Sequence, residues 1–204
     1  MQAFTRLTAV ACPLPLQGVD TDQLIPARFM NRSRAEGYGD VLLHDMRFLA
    51  DGTPDPAFPL NQKRSDDARI LVARRNFGSG SSREAAVYAL ADYGIGCVIA
   101  PSFGDIFASN SVNNGLLPAR VSEADAEILL ERLEQGLCVL TVDLDVCEIE
   151  AGNIRVPFAI DPVWRTKLLN GWDDLDLTLS HQAAIEAFAE QDLSSRPWLV
   201  PTLS

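Results

Sequence analysis

The chain of 204 residues is 47% hydrophobic and 22% charged, enough apolar material for one compact domain with a real core, which excludes a disordered or fibrous chain. Its 17 basic against 28 acidic side chains give a formal charge of -11, which repels a nucleic-acid backbone or an anionic lipid surface but leaves room for local arginines to hold a small anion. No run reaches the roughly 18 consecutive apolar residues of a membrane span.

The N-terminal stretch MQAFTRLTAVACPLP has one basic residue and an apolar run interrupted by Thr8 and Pro13, unlike a secretion signal, so a cytoplasmic protein is expected. Next, VDTDQLIP (19–26) reads as an extended segment with Asp20 and Asp22 on the same side, just before Pro26. An Asp-Thr-Asp of this kind suits a turn and helix cap or a pair of catalytic carboxylates, and the local sequence leaves both open. From 30 to 67 Asp, Gly, Pro, Asn and Arg dominate, and DGTPDPAFPLNQKRSDD has no periodicity. A structureless run of this length inside one domain is expected to be a mobile insertion or lid.

Regular organisation begins at ARILVAR (68–74), a β-rich apolar run, followed by the loop NFGSGSS and by SREAAVYALADYG (82–94), whose apolar residues fall at helical spacing and end at Gly94. CVIAP (97–101) reads as a second buried strand, and strand, helix and strand together predict a right-handed crossover on a parallel sheet. SFGDIFASNSVNNG (102–115) predicts a short helix running into an Asn-rich loop, and LLPARV returns as a strand. SEADAEILLERLEQG (122–136) has Ser122 to cap it, acidic residues in its first turn and Gly136 at its end. LCVLTVDL (137–144) and IRVPFAI (154–160), separated by a turn around Ala151, Gly152 and Asn153, read as an antiparallel pair.

The loop NFGSGSSRE is where chemistry is expected. Glycines let backbone approach a ligand, and the free N–H groups and positive dipole end of a following helix favour a carboxylate or phosphate. The alternative is a Gly/Ser turn whose hydroxyl caps the helix, with Arg83 and Glu84 solvated. No G-x-G-x-x-G, no P-loop lysine and no G-x-S-x-G elbow is present. A serine hydrolase would need a histidine, and His44 and His181 both sit in polar sequence that suits the surface. Cys12, Cys97, Cys138 and Cys147 show no C-x-x-C spacing and no neighbouring His, so neither zinc nor a self-contained iron–sulfur site is encoded, and reduced, mostly buried thiols are expected.

VDTDQLIPARF, NFGSGSSRE, APSFGDIFASNSVNNGLLP and NGWDDLDLTL occur in that order and together span nearly the whole chain. In combination they closely resemble the small subunits of 3-isopropylmalate dehydratase, relatives of the swivelling domain of aconitase. The resemblance implies an α/β fold, a single three-layer β/β/α swivelling domain over 1–204. It also implies a heterodimer, with the domain closing over a four-iron, four-sulfur (4Fe-4S) cluster carried by a separate large subunit and no cofactor bound by this chain. The implied reaction is the leucine-pathway interconversion of 2-isopropylmalate and 3-isopropylmalate, a hydro-lyase reaction on a small hydroxy-dicarboxylate.

By the same resemblance Ser81 falls on the catalytic base, and Arg83, with Gly80 and Ser82 beside it, on the group that holds a substrate carboxylate. Asp22 falls on the acidic position of the first motif. Arg28, Asn31 and Arg32 fall, with Phe29 and Met30, where the family selects the substrate side chain. A serine base must reach an alkoxide; taking water's pKa of 15.7 as the guide, the shift to neutrality is of order 8 units, about 11 kcal/mol. A helix N-terminus supplies at most ~2 kcal/mol, so the chain reads as half an active site. One departure stands out: the family reads Ser-Arg-Glu-His-Ala and this chain has Ala85 after Glu84, while Ser79 stands where cysteine is also common. That departure leaves open a relative with another hydroxy-dicarboxylate substrate, or a non-catalytic anion-binding paralogue.

Overall fold

Three short apolar runs, Ile70–Ala73 (β2), Cys97–Ala100 (β3) and Leu117–Arg120 (β4), form parallel strands covered on both faces. The computed structural model describes residues 1–196 and 198. The nine-residue strand β1 (Arg6–Leu14), which the sequence reading left unassigned, has two partners. Its first half, Arg6 to Val10, pairs antiparallel with β5 (Val139–Asp143), and its second half, Ala11 to Leu14, pairs parallel with β2. With β6 (Glu148–Ala151) and β7 (Ile154–Pro157) the seven strands form one curled sheet in the order β4-β3-β2-β1-β5-β6-β7.

Pro13 of β1 and Pro118 of β4 both fit this arrangement. The N–H of Ala11 points to the β5 side, toward the Cys138 carbonyl, so Pro13 points the same way, past the last β1–β5 pair at Val10 and Val139. Pro118 lies on the edge strand with its nitrogen facing away from β3, because its neighbour Leu117 is the one that donates to the Gly96 carbonyl. Neither proline removes a ladder bond.

Side chains alternate across the parallel strands. Cys12, Leu14, Leu71, Ala73, Val98 and Ala100 face a cluster with α3 (Ala85–Tyr93) and the one-turn helix α1 (Thr21–Leu24). Ala11, Ile70, Val72, Cys97, Ile99 and Leu117 face α5 (Glu123–Glu134) and the curled β5–β7 strands. The expected β/β/α layering is realised by one sheet folding over itself through β1.

The structure corrects three boundaries. The helix expected from Ser82 begins at Ala85, with Glu84 at its N-cap position and no side-chain cap. The expected pairing of 137–144 with 154–160 is absent, because β6 lies between them and pairs with both. Glu148 and Glu150 of β6 face outward toward Arg155, and Arg6 also reaches Glu150, so only alternate residues are apolar and the segment lacks an apolar run. Past an extended Asp20, Thr21–Leu24 is a helical turn rather than an extended segment: Asp20 caps α1 in a box with Gln23, each side chain bonding the other's backbone N–H.

Between α1 and β2 the chain winds through 3₁₀ turns and α2 (His44–Arg47), and buries Tyr38, Val41, Leu42, Leu43, Phe58 and Leu60 against α3. Arg47 is buried there over the Tyr93 ring, donating to Asn61 and to the Leu42 carbonyl. Three further helices went unread in the sequence: α6 (Pro162–Asn170), α7 (Asp174–Leu179) and α8 (Gln182–Ser195). They follow α4 (Asp105–Asn113), which covers the start of β4.

Candidate functional site

The loop between β2 and α3 lies at the carboxyl end of the parallel strands, where an open sheet of this kind offers a crevice. It is clamped from both sides by the other motifs. On one side Gly78 N–H donates to the Val19 carbonyl at 2.7 Å and Thr21 N–H to the Ser79 carbonyl at 3.0 Å. On the other, Gly104 N–H donates to the Phe77 carbonyl at 2.9 Å, and Asn76 exchanges hydrogen bonds with Ser102. The rings of Phe77, Phe103 and Phe107 pack together beneath.

Two glycines are required by close approach. A Cβ on Gly78, whose φ is 69°, would stand 2.1 Å from the Phe107 ring, and a Cβ on Gly104 would stand 2.5 Å from the Gly78 carbonyl oxygen. Further along, Asn114 donates to the Glu84 carboxylate at 3.0 Å. The buried Lys167 of α6 bonds both Asn113 and, at 2.6 Å, Asp174, which ties the fourth motif to the third. The four motifs separated in sequence therefore form one contiguous structure.

Within it the expected site residues fall into two groups. Gly80, Ser81, Ser82 and Arg83 form the exposed rim of the loop, and Arg83, half-buried, is ion-paired with Asp22 of α1. Gly80 has φ 99°, and its Cβ position lies 3.5 Å from Asp20 Cβ. Arg28 and Arg32 instead gather around Phe29: both guanidinium groups lie over its ring, Arg28 paired with Asp45 and Arg32 with Asp40 at 2.7 Å. Arg28 holds the Asp45 carboxyl at about 2, chiefly through their hydrogen bond, and Arg32 likewise lowers Asp40. Asn31 between them is exposed.

The expected helix-end cradle takes a different form. The N–H groups of Ala86 and Val87 are already bonded to the Arg83 and Glu84 carbonyls, and Ser81 lies four residues before the helix proper. Among the described residues, the N–H groups of Ser82, Arg83, Glu84 and Ala85 have no protein acceptor. The backbone donors offered to an anion thus belong to the loop and the helix's first residue. Ala85, at the position where the resemblance has histidine, is half-buried and packs against the α3-side core.

The sequence reading passed over Thr21. It is 1% exposed, and its Oγ1 lies 3.2 Å from Ser81 Oγ and accepts the Ser81 N–H at 3.2 Å. Its signal in the sequence is slight: a lone threonine between the capping Asp20 and the exposed Asp22.

A metal site does not fit these residues. Among the described residues no three His, Cys, Asp or Glu side chains stand together as ligands. Burial pushes the Cys12 thiol up to about 11 and raises Cys97 further, away from the thiolate that iron requires. Among the described residues, no helix is long and apolar enough to cross a membrane.

A curled mixed sheet carrying this Ser/Arg loop over a capped helical turn is the architecture of an aconitase-type swivelling domain, and the aconitase C-terminal domain family matches residues 1–124. The 3-isopropylmalate dehydratase small subunit of Ruegeria pomeroyi is 44% identical, over 98% of this chain and all of its own length. That of Sinorhizobium fredii is 46% identical, over 97% of this chain and likewise all of its own length. The crystal structure of 3-isopropylmalate dehydratase from Methanocaldococcus jannaschii superposes with a TM-score of 0.62 at 25% identity, covering 90% of this chain and 99% of that one. The chain belongs to the aconitase C-terminal domain family and, within it, to the 3-isopropylmalate dehydratase small subunits.

Proposed function

We propose that this chain is the small subunit of a cytoplasmic hydro-lyase that interconverts 2-isopropylmalate and 3-isopropylmalate in leucine biosynthesis. It works in complex with a large subunit that holds the 4Fe-4S cluster, a reading supported by the lack, among the described residues, of any three His, Cys, Asp or Glu side chains grouped as ligands. The observation that carries the reading is the convergence of Ser81 and Arg83 on one rim, clamped by the first and third motifs.

On this reading Ser81 Oγ takes the proton from the carbon next to a carboxylate. Starting from the Ser81 alkoxide, the C–H bond breaks and an O–H bond forms on Ser81; the electron pair left on carbon becomes the double bond as the neighbouring C–O bond breaks, and the departing hydroxide takes up a proton to become water. Arg83 offers a planar fork to a substrate carboxylate, and Asp22 holds that fork in place from α1. The N–H groups of Ser82 to Ala85, which among the described residues have no protein acceptor, are further donors for an anion. Arg28 and Arg32, over the Phe29 ring, and the neighbouring exposed Asn31 are given the role of selecting the substrate's side chain.

Reconstitution with a cluster-loaded large subunit tests the proposal. The complex is expected to dehydrate 3-isopropylmalate and rehydrate the resulting alkene to 2-isopropylmalate, in preference to hydroxy-dicarboxylates with a methyl group or no side chain, while the isolated chain is colourless and inactive. Assembly without turnover of any of these substrates would sink it and leave an anion-binding module.

A further inference from the structure

We infer that Thr21 is a positioning residue for this reaction, its buried hydroxyl donating to Ser81 Oγ and making that oxygen a stronger base-former; the inference rests on the reading of Ser81 above. Thr21 Oγ1 accepts the Ser81 backbone N–H at 3.2 Å, so its oxygen is already an acceptor. Its own proton has, among the described residues, one acceptor within reach, Ser81 Oγ at 3.2 Å. Thr21 is 1% exposed, and a buried hydroxyl proton left without an acceptor is unfavourable, so the bond runs from Thr21 to Ser81. The exposed Ser81 keeps its own proton free for exchange with solvent or substrate.

The donor is rigid as well as oriented. Thr21 is β-branched, sits in the first turn of α1 behind the Asp20–Gln23 capping box, and has its backbone N–H fixed on the Ser79 carbonyl at 3.0 Å. A fixed O–H donor stabilises an alkoxide more than an alcohol, because bonds to charged acceptors are the stronger ones. Thr21 thereby meets part of the large demand that a serine base makes, with no helix dipole directly on Ser81. The same side chain also fixes the loop, since it holds both the amide and the hydroxyl of Ser81.

The test uses the reconstituted complex with 3-isopropylmalate and compares Thr21→Val, Thr21→Ser and Ser81→Ala. Thr21→Val keeps the shape and removes the donor: kcat is expected to fall about tenfold to a hundredfold with KM within about twofold. The rising limb of its kcat–pH profile is expected about one unit higher. Thr21→Ser keeps the donor and loses the methyl, and is expected to stay near wild type.

The reverse order, a harmless valine and a damaging serine, assigns Thr21 to packing and overturns the inference, as does a fall in kcat with the pH limb unmoved. Should Thr21→Val fail to assemble, Thr21→Cys, with its weaker donor, is expected to show an intermediate loss and shift, and a wild-type profile there overturns the inference. A dead Ser81→Ala with a normal Thr21→Val defeats this inference alone, whereas an active Ser81→Ala defeats the role given to Ser81.

Discussion

Ser81 and Arg83 stand two residues apart, yet they are held by different partners on α1: Ser81 by Thr21, Arg83 by Asp22. Their variants should therefore fail differently. Ser81→Ala in the complex is expected to lower kcat by 10² or more with KM little changed, because a proton-transfer group acts in the transition state. Arg83→Lys is expected to raise KM as well as lower kcat, since an ammonium cannot reproduce a bidentate contact; a lysine variant with wild-type KM would count against a carboxylate at Arg83. Elsewhere, Asp45 titrates near 2 because Arg28 bonds its ionised form. The stability from that pair is present above the ordinary aspartate range and is lost as pH falls through about 2. Carboxyl titration by NMR is expected to show the Asp45 midpoint rising toward the ordinary value in Arg28→Ala, and an unmoved midpoint would refute the pairing. Ser81 and Arg83 could be proposed from the sequence because both belong to one contiguous motif. Thr21 was hidden because its partner lies 60 residues away.

At the scale of elements, the helices and strands that were readable carry their signal on consecutive residues. β2, β3 and α5 are of this kind: unbroken apolar runs for the strands, and Ser122 with an acidic first turn for the helix. β1 and β6 were missed for physical reasons. β1 changes partners midway and holds a proline that is harmless only because β5 has ended, while β6 is half polar because one face meets solvent. α1 is too short for periodicity to show, and its clearest sign is the Asp20-x-x-Gln23 box. The loop and α4 are matched to one another through glycine. Gly78→Ala is expected to lose about 3 kcal/mol or more, combining a left-handed backbone with a Cβ driven into the Phe107 ring. Thermal melts check this, and a loss under about 1 kcal/mol would mean that the Phe107 ring moves aside freely.

For the whole molecule, the two core clusters divide the work. One is built from β1–β3, α3 and the segment before β2, and the other from α5 and the curled antiparallel strands. The long segment without periodicity is thus partly a piece of core: Leu43 N–H bonds the Leu24 carbonyl at 2.9 Å, and Val41, Leu42 and Leu43 are buried. Its apolar residues were unreadable as an element because turns, not a helix or strand, bring them inward. Amide exchange in the isolated chain is expected to be slow at Leu43 and Arg47 and fast through Asn31 to Glu36, whose side chains are largely exposed, and the latter stretch is expected to slow when the partner and substrate are added. Uniform protection across both stretches in the free chain would remove the case for a mobile rim. The C-terminal helices sit at the opposite extreme. α8 buries no residue, and Ile185, Phe188 and Leu193 are all exposed, so its formation adds little to either cluster. A chain ending at Ser180 is therefore expected to unfold cooperatively with its midpoint within about 2 °C of the full chain, since each kcal/mol moves a domain of this size by roughly 2–4 °C. A drop of more than about 5 °C would show that α8 stabilises the body of the domain through contacts that its exposed face does not reveal.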